Sequence, residues 1–337
     1  MPFINSVRGV FSAAGPVGVT APPLITLSGT SYNLLTETIT LSTAGEYKID
    51  VFTRCQVRAR VFGAGGGGGQ AGGWSQGYPG GSGGYAGGIL TLSPGTSTVI
   101  VGEGGGGNSF RTVIGGGHSA QPKEGTSDNR YSACGGGFSG IFSGSGTVHN
   151  STGGSGNTTY RTAGVQARSL IIAGGGGGGG SMTGGHGPMD GGHGGGSEGT
   201  GGLSRGSVDT LSRGTQTAPG ELRGNEWGQV QQATYMQGGS GGDQGYGGGG
   251  GGGYFAGGNG QSNQGGTMAG GGGGSGFLSS SISNGSLIAG TSQTSPGGVS
   301  QTGYIAGRGH GGGASGNSNN SWQGGTGGSG IVILAPL

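Results

Sequence analysis

Between residues 46 and 62 the chain reads EYKIDVFTRCQVRARVF. Apolar or small side chains fall at Tyr47, Ile49, Val51, Val57, Ala59 and Val61, and polar ones at Lys48, Asp50, Gln56, Arg58 and Arg60. A period of two predicts half-buried strands, read here as a hairpin with strands near 46–52 and 56–62 about a turn at 53–55. TETITLSTAG, upstream, predicts another strand near 36–42. GGILTLSPGTSTVIVGEGG predicts a second hairpin, in which Pro94-Gly95 suits a type II turn. ARSLIIAG at 167–174 and SGIVILAPL at 329–337 are short apolar runs of the kind that form buried strands. No segment carries a sustained 3.6-residue period, and glycine opposes helix throughout.

Several of these runs end in glycine. RVFGAGGGGG spans 60–69, LIIAGGGGGGG 170–180, SLIAG 286–290 and YIAGRGHGGG 304–313. A further seven-glycine tract fills 247–253. Polar stretches rich in Ser, Thr, Asn and Gln intervene at 118–162, 197–237, 259–268 and 279–301. The chain therefore cycles through strand, glycine tract and polar loop. A disordered linker would not keep restarting with apolar strands. Glycine is 102 of 337 residues, and fixing each one costs about 1–2 kcal/mol of chain entropy. Blocked glycines with only 11 prolines exclude collagen. An extended threefold helix has no internal hydrogen bonds, so its N–H and C=O groups point outwards. Such helices satisfy one another when packed side by side, and a Cβ would hold them apart. The expected fold is all-β: a β-sandwich-like sheet continuous with a bundle of polyglycine II helices, with almost no α-helix.

Charge and chemistry narrow the picture further. The formal net charge is +2 and no basic run exists, which argues against nucleic acid as a partner. No apolar stretch is long enough for a membrane-spanning helix, and MPFINSVRGVFSAAG lacks the apolar core of a secretory signal. Two cysteines, Cys55 and Cys134, cannot make a disulfide framework; two free or buried thiols are expected, with a single bridge as the alternative. GxGxxG and GGSGG matches are chance products of the glycine content, and G-K-S/T is missing. Twelve carboxylates form no recognisable acid/base pair, so no enzymatic activity and no cofactor are expected. His186, Asp190 and His193 lie close together in GGHGPMDGGHGGG, where the expectation is loop or tract-end residues rather than metal ligands. Aromatics beside Ser, Asn and Gln are the better binding candidates: Trp74, Tyr78, Trp227, Tyr235 and Trp322. The alternative is that the tryptophans pack as lids over the tract ends. Tyr246, Tyr254 and Phe255, which flank the long tract, are expected to cap sheet or bundle.

The run AGEYKIDVF, VRARVFGAGGGGG, GGYAGGILTLSPGTSTVIVGEGG, SLIIAGGGGGGG and GSGIVIL resembles the glycine-rich domains of tailed-bacteriophage tail-fibre and adhesin proteins. It is also similar to the glycine-rich extracellular domain of the anaplastic lymphoma receptor kinase, whose disulfides and kinase segments have no counterpart here. The likeness covers roughly 43–337 and is most specific at 43–107 and in the last eight residues. It implies a virion protein, released by host lysis, whose polar loops bind a bacterial surface receptor. Residues 1–24, without a tract and closing on Pro22-Pro23, then suit a peptide that docks on another fibre or baseplate protein, and 25–337 form the glycine-rich domain. The resemblance is compatible with one copy per fibre tip or with a homotrimer. The competing function is that of a purely structural fibre protein with no ligand.

Overall fold

The computed structural model describes residues 25–27, 30–70, 75–107, 115–117, 132–148, 162–183, 187–221, 232–240, 247–260, 269–315 and 324–337. Its strands in chain order begin with β1 (Ile25–Leu27), β2 (Thr30–Tyr32), β3 (Ile39–Leu41), β4 (Gly45–Val51), β5 (Cys55–Phe62), β6 (Ser75–Gly77), β7 (Tyr85–Leu92) and β8 (Gly95–Val101). They continue with β9 (Ser139–Ser143), β10 (Ser169–Ala173), β11 (Ser181–Thr183), β12 (Leu203–Ser204), β13 (Ser207–Val208), β14 (Phe277–Leu278), β15 (Ser283–Ile288) and β16 (Ile331–Ala335). One helical turn, α1 (Thr162–Gln166), precedes β10. The protein is all-β, as its alternation and glycine content predict.

Two antiparallel sheets face each other. The first runs β14-β10-β9-β8-β4-β1-β2 and the second β15-β7-β5-β16-β3. Alternate residues of both meet between them: Ile49, Val51, Val99 and Ile141 from one sheet, and Val57, Val61, Leu90 and Leu334 from the other. The polar residues of the same strands, Asp50, Gln56 and Arg58, are exposed. Period two thus sets which side chain faces the core.

The two predicted hairpins are not hairpins. β4 pairs with β1 and β8, whereas β5 pairs with β7 and β16, so the link at 52–54 carries the chain from one sheet to the other. The link at 93–94 does the same between β7 and β8. Gly95 has the positive φ, 122°, that a turn glycine supplies. Alternation fixes a strand's buried face but not its partner, and the Phe52-Thr53-Arg54 link holds no Asn-Gly or Asp-Gly signal for a tight hairpin. The predicted strands at 36–42, 167–174 and 329–337 are present as β3, β10 and β16. YIAGRG at 304–309 forms turns rather than a strand.

Beyond the sheets the strands become a glycine lattice. In tract 174–180, the amides of Gly175 and Gly178 donate to Gly252 and Gly249, those of Gly176 and Gly179 to Ala64 and Gly67, and those of Gly177 and Gly180 to Gly192 and Met189. All six bonds are 2.7–3.0 Å long. Partners recur every third residue, so the tract is a threefold helix with a different neighbour on each face. The carbonyls repeat the pattern: Gly174 and Gly177 accept from Gly84 and Gly81, Gly175 and Gly178 from Gly274 and Gly271, and Gly176 and Gly179 from Gly136 and Ala133. Six tracts therefore surround this one. Tract 63–69 is built the same way, donating to segments 78–84, 134–137 and 325–328.

The lattice leaves no room for side chains at most of these glycines. A Cβ on Gly177 would sit 2.0 Å from the Gly271 carbonyl oxygen. Gly177→Val should therefore push neighbouring backbones away from each other and strand amides that cost about 1–3 kcal/mol each, lowering the melting temperature by several degrees. Gly164, exposed in α1, meets nothing within 4 Å; Gly164→Ala should be neutral or stabilise by up to about 1 kcal/mol. Thermal unfolding of both variants beside the parent checks the contrast, and equal melting of all three would refute the packed lattice at Gly177.

Candidate functional site

The lattice gives the molecule two poles. The tracts leave the strands at residues such as Gly63, Gly84, Gly174 and Gly330, and reach the far pole six or seven residues on, roughly 20 Å away at 3.1 Å per residue. The register shows which described segments end there: Gly69 pairs with Tyr78, Gly180 with Met189, Gly248 with Ala269 and Gly260, and Ser315 with Gly69. Gln70, Ser181, Gly247, Gly260, Ala269 and Ser315 all lie at or beside these ends. β6 pairs with β11 at this pole. The β12–β13 hairpin stands here too, tied down by the Gly206 amide on the Pro188 carbonyl (2.8 Å), with Arg205 through Val208 exposed.

Buried polar side chains mark the tract ends. Gln70, Ser132, Ser181, Ser240, Asn259 and Ser315 sit at or next to the last described residue of a tract, all buried. Where a lattice stops, backbone groups lose their neighbours, and short polar side chains are the available replacements. Asn259 donates through Nδ2 to the Gly260 carbonyl (3.1 Å). Gln70 Oε1 and Ser181 Oγ are buried acceptors without a partner. The far pole thus carries a layer of buried polar side chains.

Of the predicted binding residues, Trp74, Trp227 and Trp322 lie outside the described residues. Tyr78 is not a surface residue: it is 7% exposed, its amide donates to the Gly180 carbonyl (3.1 Å) and its carbonyl accepts from Gly69 (2.8 Å). Burial, with Asp190 beside it, pushes its hydroxyl pKa up. It is a lattice residue, because Gly77-Tyr78-Pro79 begins a tract rather than a loop. Tyr235 is half-buried and lies at the opposite end, on the shoulder between lattice and sandwich, its ring 4.7 Å from that of Phe255. Tyr254 and Phe255 cap the tract end as expected, Tyr254 stacking on Phe277 at 4.0 Å; Tyr246 lies outside the described residues. The polar stretch 197–237 is not one loop. Its described residues return to the lattice three times, through Thr200 on His193, Gly214 on Gly273 and Gly220 on Ala256. Stretch 118–162 likewise contains a lattice tract and β9. Ser and Thr hide these passages, since composition does not separate a short tract from a turn. Gln166, Tyr254 and Phe277 do not stand out in the sequence as binding candidates; the aromatic pair directly after a seven-glycine tract is their only signal.

His193 is committed to structure. Its Nδ1 accepts the Ser82 amide (3.1 Å) and lies 3.2 Å from Ser82 Oγ, filling a lattice position where no backbone partner is available. Burial lowers its pKa and raises that of Asp190. His186 lies outside the described residues. Among the described residues no three His, Cys, Asp or Glu side chains gather as a metal site, and no helix is long and apolar enough to cross a membrane. Neither Cys55 nor Cys134 is in a disulfide, and both are buried. No protein-family model matches the chain, and no curated protein is similar to it.

The sign of the His193 effect follows from its environment. The fold holds the imidazole neutral, whereas the unfolded chain binds a proton near 6.5. Stability from this residue is complete above that pH and falls as pH drops below it, until the folded imidazole is itself protonated. Asp190 acts oppositely: its carboxyl takes up a proton at a higher pH in the fold than the ordinary 3.8, so acid relieves the cost of burying its charge. The melting temperature should fall between about pH 7 and about pH 5, and His193→Asn, which keeps an acceptor but cannot titrate, should flatten that fall. An identical pH profile for the variant would refute the assignment.

Proposed function

We propose that the protein is a bacteriophage tail-fibre adhesin, a rigid glycine lattice that holds polar segments against a molecule on the bacterial surface. The observation that carries this reading is the segregation of the two ends. The described chain begins at Ile25, which pairs with Val51 beside the inter-sheet link at 52–54, at the base of the sandwich. Tract ends gather at the other pole, marked by buried polar side chains. Strand and tract together separate these ends by roughly 45 Å. A scaffold that is tethered at one end and reads a surface at the other needs this arrangement, and binding segments usually sit on loops held by a rigid body. Residues 1–24 would supply the tether to another virion protein.

With a formal charge of +2, recognition at the pole would rest on hydrogen bonds and aromatic rings, not on a charged surface. The test is adsorption to host cells by phage carrying Trp74→Ala or Trp322→Ala, or the 316–323 segment of a related phage. Adsorption should fall or switch host while virions still assemble, and it should change little with salt. Unchanged adsorption in every variant would leave a structural fibre protein without a ligand.

A further inference from the structure

We propose a second binding site on the shoulder between sandwich and lattice: a shelf for a neutral saccharide, built on Tyr235, Tyr254 and Phe277. Four rings form a continuous row there. Tyr235 lies 4.7 Å from Phe255, Phe255 meets Tyr254 edge-on at 5.3 Å, and Tyr254 stacks on Phe277 at 4.0 Å and 11°. Phe255 is the buried member, and the other three keep some of their surface in solvent. A row meant only to seal the junction would have no use for hydroxyls. Here the Tyr254 hydroxyl lies near the Gln166 side chain of α1 and near Tyr235. Polar groups from three separate segments thus lie along the aromatic row.

The surroundings fit an uncharged ligand. Gln216 is pinned beside Gly276, the residue before Phe277, its Nε2 donating to the carbonyls of Ser197 and Gly276, so a fixed amide lies close to that end of the row. The two nearby arginines are both held within the fold. Arg213 pairs with Glu198 at 3.3 Å, and Arg168, two residues after Gln166, is held by the carbonyls of Ser143, Gly144 and Gly146. Aromatic faces accept the C–H face of a pyranose, while hydroxyl and amide groups exchange hydrogen bonds with its hydroxyls. Neutral sugars use both features, whereas an acidic ligand would have to compete with these carbonyls and with Glu198 for the two arginines. The shelf stands independently of the far pole, since it uses none of that pole's residues.

The experiment titrates the full-length protein with maltotetraose, cellotetraose and a galactose tetrasaccharide, following saturation-transfer NMR. At least one should bind with a dissociation constant in about the millimolar range. Tyr235→Ala should weaken that binding by about tenfold or more, Gln166→Ala should weaken it also, and Val208→Ala, on the exposed β12–β13 hairpin, should leave it unchanged. Should Tyr235→Ala fail to fold, Tyr235→Phe removes the hydroxyl alone and should still weaken binding. The proposal is overturned if no neutral tetrasaccharide binds, if the shelf variants bind as the parent does, or if sialylated or other acidic sugars bind in preference.

Discussion

The architecture depends on one interaction: the backbone hydrogen bond between neighbouring extended glycine tracts. In an ordinary core the dominant gain is burial of apolar side chains. In the lattice there is almost nothing of that kind to bury. What opposes the entropy of ordering so many glycines is the complete pairing of their amides and carbonyls, as in tract 174–180, whose threefold faces meet six neighbours. Each bond is modest in net terms, about 1 kcal/mol, but a buried amide without a partner costs more than a made bond contributes. The lattice is therefore stabilised chiefly by the penalty for any arrangement that leaves groups unpaired.

The sandwich supplies what glycine cannot, a register. Ile171, Val61 and Val332 are fully buried between the sheets, and their strands run into tracts at Gly174, Gly63 and, in the reverse direction, from Gly330. Side-chain packing decides where each strand sits, and that fixes which glycine faces which. Apolar shoulders reinforce the joint on both sides: Phe138, Phe142 and Met236 pack on one sheet's outer face, Phe62, Tyr85 and Ile333 on the other's. The two halves divide the labour, one specifying position and the other extending it in a stiff direction.

This division explains what is legible in the sequence. Buried strands such as 169–173 and 331–335 can be read because apolar runs and period two act through side chains. The threefold lattice can be inferred because unbroken glycine has few other ordered uses. Partners cannot be read. Gly65 donates to Gly328, and no feature of either glycine distinguishes it from its neighbours. The same lack of side-chain information makes 197–237 look like a loop, although Gly214 and Gly220 are lattice members. At the candidate site, Tyr78 and Tyr235 have similar polar settings in the sequence. The fold buries one within the lattice and places the other on the shoulder, because the tracts around them run to different ends of the bundle.

The position of β16 has a consequence for how the molecule is made. This strand lies inside its sheet, between β3 and β5, both of which are formed from residues before 63. Segment 325–328, just before it, accepts the amides of Gly65 and Gly68. The early strands thus wait for their neighbours until the ribosome has passed residue 335, and cannot complete a native sheet sooner. Such remote pairing makes for slow folding. A copy that terminates before Ile331 lacks the strand that joins β3 to β5, so its second sheet is left open at the centre.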